Sequence, residues 1–68
     1  MNITVRNPQT KRESTYDMKY LAREARRMCK PYGKMHAWNV EVVEGVCVRL
    51  HASYTAPDDV QSFVTQVL

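Results

Sequence analysis

Sixty-eight residues, 44% hydrophobic and 25% charged, have the composition of an ordinary globular chain, read as one domain, 1–68. A chain this short has a thin core, which leaves no room for a lined catalytic pocket of a few hundred Å³. No apolar run is long enough to span a membrane, and the net charge of +3 is too small to identify a partner by itself.

Residues 2–6, Asn-Ile-Thr-Val-Arg, alternate apolar and polar side chains, the two-residue period of a half-buried strand. Pro8 ends it, and Asn7 to Glu13 reads as a polar connection. No basic segment followed by an apolar core opens the chain, so no secretory leader is expected.

The first helix is capped by Ser14 or Thr15, with Asp17 near N3 as a capping-box partner. Met18, Leu21, Ala22, Ala25, Met28 and Cys29 then fall on one helical stripe. Pro31 stops the helix and Gly33 lets the chain turn.

Residues 37–44 read as a second strand, with Trp38, Val40 and Val42 on one face. Glu44-Gly45 suits a tight hairpin turn. The third strand, 46 to about 54, places Val46, Val48, Leu50, Ala52 and Tyr54 on one face and Cys47, Arg49, His51 and Ser53 on the other. A second helix closes the chain, with Thr55 as N-cap, Pro57 in the first turn, and Asp58 and Asp59 at the positive end of the dipole. Val60, Phe63, Val64, Val67 and Leu68 form its apolar stripe.

The expected fold class is α+β: a two-layer β-α-β-β-α unit, its three-stranded, mainly antiparallel sheet carrying both helices on one face. A right-handed crossover joins strands one and two. Strand three, the longest and most apolar, is favoured in the middle, and the order with strand two there stays open. This order, with the passage from Val40 to Leu68, resembles the DNA-damage-inducible protein I family, small regulators of recombinase filaments. That family is acidic on its last helix, whereas this chain offers only Asp58 and Asp59 there and carries a basic first helix. In size and simplicity the chain is also similar to small phage-encoded inhibitors of host defence, which implies a phage or prophage source.

On the first helix, Lys19, Arg23, Arg26, Arg27 and Lys30 fall within an arc of about 100°, a stripe roughly 16 Å long. Glu24 lies to the side and no carboxylate stands at i±4 within the stripe. Lysine-rich helix faces are commonly just solvated, but this one is arginine-rich and of single sign. Arginine binds carboxylates and phosphates through paired hydrogen bonds. Lys11, Arg12 and Lys34 extend the stripe from flanking loops. The far sheet face, with Thr4, Arg6, Asn39, Glu41, Val43, Cys47, Arg49, His51 and Ser53, reads first as a solvated surface. Arg49 and His51 mark it as a second candidate surface, a dimer contact or partner platform.

No catalytic constellation or metal site is expected. Cys29, His36, Cys47 and His51 have zinc-ligand chemistry without a short cysteine knuckle. Cys47 and His51 stand about 13 Å apart on an extended strand, too far for a nucleophile–base pair. Tyr16, Tyr20, Tyr32 and Trp38 form no alternation with basic residues that would stack bases. Two cysteines are too few for a disulfide scaffold and suit reduced thiols in the cytoplasm.

The expected function is therefore non-enzymatic: a small protein-binding regulator or inhibitor that sets its basic helix against an acidic protein surface. It needs no cofactor, small-molecule substrate or membrane, and acts as a monomer or homodimer. Nucleic-acid binding through phosphates on the same helix is the alternative.

Overall fold

The structure is a computed structural model describing residues 1–68. Six elements follow in order: β1 (Asn2–Arg6), β2 (Glu13–Asp17), α1 (Met18–Cys29), β3 (Lys34–Val43), β4 (Cys47–Thr55) and β5 (Gln61–Val67). They form an α+β fold in which β1 and β2 make one hairpin and β3-β4-β5 a separate antiparallel sheet. Strand β4 lies in the middle, antiparallel to both neighbours.

The polar stretch before the helix is a strand. Asn7 anchors the β1–β2 loop: its Oδ1 accepts from the backbone N–H groups of Gln9 (2.9 Å) and Thr10 (3.2 Å). Its own N–H donates to the Arg12 carbonyl, and Lys11 takes a φ of 63°. Register then sets Ile3 against Tyr16 and Val5 against Ser14. Ser14 and Thr15 therefore belong to β2, and the helix cap is Asp17, whose Oδ1 accepts from the Lys19 N–H at 3.2 Å.

Helix α1 buries Leu21, Ala25, Met28 and Cys29, the centre of the expected stripe. They meet Leu50 and Ala52 of β4, with Trp38, Val40, Met35 and Val64 at the margin. The chain then passes so close to Thr55 that position 33 has no room for a Cβ. Gly33 thus serves close approach, where sequence suggested only turning.

At the β3–β4 turn, Glu44 and Gly45 both take positive φ (54° and 70°), as a type I′ turn requires. The Val46 N–H closes the turn on the Val43 carbonyl at 2.9 Å, and the Arg6 N–H holds the first hairpin to Gly45 O at 2.8 Å.

The expected second helix is strand β5. Pro57 and Asp58 occupy the corners of a turn whose Asp59 N–H donates to Ala56 O at 2.9 Å, and Asp59 itself has φ 64°. Pro57 and the aspartates suit a type I turn as well as a helix start, so they did not discriminate. Beyond them, β-branched and aromatic residues pair along β4 from Thr55↔Gln61 to Arg49↔Val67.

With one helix and two sheets, the β-α-β-β-α order does not hold. No crossover joins β1 to the main sheet, and the resemblance that rested on that order falls with it. The body is thin, 45 × 20 × 15 Å, and only eight of its 68 residues are buried, so several large apolar side chains stay in solvent. No helix is long and apolar enough to cross a membrane.

Candidate binding face

The side of α1 opposite Leu21 and Ala25 is solvent-facing. Lys19, Arg23, Arg26, Arg27 and Lys30 are all exposed on it, as the helical spacing predicts. Arg26 and Arg27 in the last turn also complement the negative end of the helix dipole. Lys19 and Arg23 lie further toward the N-terminus and gain nothing from that.

Four of the five line an open cleft of about 610 Å³, whose walls are Arg23, Glu24, Arg26, Arg27 and Lys30 on α1 with Gly33, Lys34 and Met35. A depression of this size exceeds what the chain length led us to expect, because it is a groove between two elements rather than an enclosed cavity. Lys19 stands outside it. Lys34 joins the stripe as the sequence suggested. Arg12 does not: it lines a different depression, with Val5, Cys47 and Leu68.

The stripe is not wholly free of carboxylate. Glu24 binds Arg27 at i+3, with Nη2–Oε2 at 2.7 Å and Nε–Oε1 at 3.1 Å. The hydrogen bond from Arg27 holds the Glu24 carboxyl below its ordinary range, helped by the charges of Arg27 and Arg23. The Arg27 guanidinium is raised in turn by Glu24. Arg27 thus meets a ligand with part of its fork occupied, by a carboxylate at i−3 rather than at i±4. No carboxylate lies within 4.0 Å of a nitrogen of Lys19, Arg23, Arg26, Lys30 or Lys34.

One further residue borders this face. Tyr20 is 41% exposed and stacks on Tyr16 with centroids 6.2 Å apart. Its place one turn before Arg23 and Glu24 follows from helical spacing, a pattern different from the aromatic–basic alternation of a base-stacking strand.

The other candidate surface is the sheet face away from α1. Arg49 and His51 do come together there. His51 Nε2 lies 3.1 Å from Glu41 Oε1, its Nδ1 lies 2.9 Å from Thr65 Oγ1, and Arg49 reaches the same Glu41 oxygen at 3.4 Å. The hydrogen bond from His51 is the largest cause holding Glu41 below its usual carboxylate range. Thr4 and Arg6, expected on this face, belong to the separate β1–β2 sheet. Phe63 and Thr65, expected on a helix, take their place through the register Ser53↔Phe63 and His51↔Thr65.

A hydroxyl, an imidazole and a carboxylate in series have the connectivity of a nucleophile, base and orienting group. Here they lie across an open sheet, whose N–H groups run in its plane and cannot converge on an oxyanion, and nothing excludes water. The series reads as a cross-strand ladder that fixes register. Cys29 is buried, which pushes its thiol pKa up and makes it a poor nucleophile. No cluster of three or more His, Cys, Asp or Glu side chains is placed to hold a metal ion.

No family model, curated protein or solved structure matches this chain.

Proposed function

We propose that this chain is a small non-enzymatic regulator or inhibitor that binds an acidic protein surface through α1. The observation that carries the reading is the set of Lys19, Arg23, Arg26, Lys30 and Lys34, all exposed and none paired to a carboxylate. Unpaired cations along one rigid helix, with Lys34 beside it at the start of β3, give electrostatic steering and a salt-sensitive on-rate. The adjoining cleft adds Met35 and the Gly33 backbone beside the charges, a mixture suited to a protein ligand's side chains. A phage or prophage origin fits this kind of regulator.

Direct nucleic-acid binding by the same face is the second reading, favoured by the single-sign stripe and by exposed Tyr20 at its border. The net charge of +3 gives it less support.

The deciding experiment is a titration against duplex DNA, single-stranded DNA and RNA at low and physiological salt, with a triple Arg23→Glu, Arg26→Glu, Arg27→Glu variant alongside. The protein-partner reading expects no binding at physiological salt, and retention of acidic proteins from nuclease-treated extract by the wild type only. Tight nucleic-acid binding that weakens steeply with salt and disappears in the variant replaces it with the second reading.

A further inference from the structure

The two edges of the main sheet are built differently. Edge strand β3 carries Lys34, His36 and Glu41, and its register is broken by a bulge between Met35 and Ala37. Charges and bulges are the usual devices that keep an edge from recruiting another strand. Strand β5, Gln-Ser-Phe-Val-Thr-Gln-Val, has neither, and it is the only strand here without a charged residue. Three of its neighbouring apolar side chains are open to solvent: Phe63 at 76%, Val67 at 60% and Val60 at 55%.

The phase of its hydrogen bonding is fixed. The Leu68 N–H donates to Val48 O, and the Ala56 N–H to Val60 O. In the antiparallel register this makes Ser62, Val64 and Gln66 the residues bonded to β4. The N–H and C=O groups of Gln61, Phe63, Thr65 and Val67 point outward, away from β4, and no backbone or side-chain hydrogen bond outside the sheet uses them.

We propose that β5 is a dimerisation strand: two copies of this chain pair antiparallel through Gln61–Val67 about a two-fold axis at Val64, joining both three-stranded sheets into one. Two observations select a second copy as the occupant. First, a chain of net charge +3 repels itself, and β5 is the strand along which two copies meet without opposing like charges. Second, the strand is self-complementary. The register centred on Val64 pairs every residue of β5, setting Gln61 against Val67, Ser62 against Gln66 and Phe63 against Thr65. It uses all four outward-facing residues as hydrogen-bonded pairs. The two Phe63 rings become diagonal neighbours about 7–8 Å apart at the backbone, within aromatic reach, and cover one another. Such an edge contact buries less than the about 1,200 Å² of a standard interface, so association depends on concentration. The axis runs through the sheet, so both helices stay on one face. The proposal stands whether or not that face binds an acidic partner.

The test is sedimentation from about 1 μM to about 1 mM, a range that spans weak interfaces, for the wild type, Thr65→Pro and Phe63→Lys. Proline at 65 removes an outward N–H and leaves the backbone bonds to β4, losing only the side-chain bond of Thr65 to His51, which Phe63→Lys keeps. Lysine at 63 charges an exposed position, so the fold, followed by circular dichroism, is kept. The wild type should move from monomer to dimer while both variants stay monomeric. A wild type that remains monomeric throughout, or variants that dimerise equally, overturns the proposal. The register is read by oxidation of Val64→Cys and Ser62→Cys in a Cys47→Ser background. Facing Val64 positions form a non-hydrogen-bonded pair about 4.5 Å apart at Cα, within disulfide range, whereas two copies of position 62 are separated by four residues of strand. A covalent dimer from Val64→Cys alone supports the stated pairing, and one from Ser62→Cys alone refutes it.

Discussion

A Cβ built on Gly33 would stand 2.8 Å from the carbonyl carbon of Thr55 and closer still to its oxygen. The obstruction is backbone of the central strand, which cannot swing aside as a side chain can. Gly33→Ala should therefore destabilise the fold by about 1–3 kcal/mol, the range for overpacking. Urea denaturation followed by tryptophan fluorescence of Trp38 measures it. A loss under about 0.5 kcal/mol, the level of ordinary surface substitutions, would mean that the α1–β3 connection shifts freely.

The basic face makes unequal use of its arginines. Arg27 shares its guanidinium with Glu24, whereas Arg23 and Arg26 have no carboxylate partner. Reversing Arg23 or Arg26 to Glu should weaken binding to an acidic probe, such as labelled poly-glutamate, by about tenfold, equivalent to ~1.4 kcal/mol. Glu24→Gln should strengthen it, because it removes a negative charge and frees the Arg27 fork. Fluorescence anisotropy at low salt reads all three. A Glu24→Gln variant that binds more weakly would show that the pair positions Arg27 for its ligand.

Acid should weaken the fold through two carboxylates. Glu24 and Glu41 both titrate below the ordinary 4.5 in the folded chain, through hydrogen bonds from Arg27 and His51. The unfolded chain therefore takes up protons first as pH falls. Their contribution is complete above the ordinary carboxylate pKa and is lost as pH drops through the lowered folded values. Glu41 is half open to solvent and Glu24, though partly covered, bonds an exposed arginine, so screening by water keeps the effect small. Glu41→Gln and Glu24→Gln should each flatten the fall of melting temperature between about pH 5 and pH 3. Slopes equal to that of the wild type would show that neither pair survives in solution.

The parts of the fold legible in the sequence are those where pattern and context agree. Helix α1 has one apolar stripe, good helix formers and a proline stop, and its C-terminal end and basic face follow from them; its start does not, because Ser14 and Thr15, expected as caps, pair in β2 and Asp17 caps the helix. The β3–β4 hairpin shows clean alternation around Glu44-Gly45, so its faces, including Arg49 and His51, follow from it; Val46, expected on the apolar face, stands exposed in the turn. Strand β2 was not legible because Tyr16 is its only large apolar side chain; the strand exists through its pairing with β1 and the Asn7-anchored loop. Strand β5 is not legible because Val60, Phe63, Val64, Val67 and Leu68 fit a helical period by coincidence. The tertiary context, an open edge of β4, decides for pairing. The helical period sets Phe63 in a core, whereas on β5 it stands in solvent.

The β4–β5 turn offers a substitution that discriminates strand from helix. Asp59 holds a φ of 64° at the β4–β5 turn, a left-handed conformation that costs most L residues about 1–2 kcal/mol and aspartate somewhat less. Glycine carries no such cost, though it loses more chain entropy on folding. Asp59→Gly should therefore raise stability by about 0.5 kcal/mol. At the first turn of a helix the same exchange acts in the opposite direction, since it removes a charge that complements the dipole and inserts a poor helix former. The sign of the change in urea midpoint thus separates hairpin from helix. A stabilised variant with unchanged circular dichroism supports β5 as a strand, and a clear loss of stability would restore a helical C-terminus and remove the dimerisation edge with it.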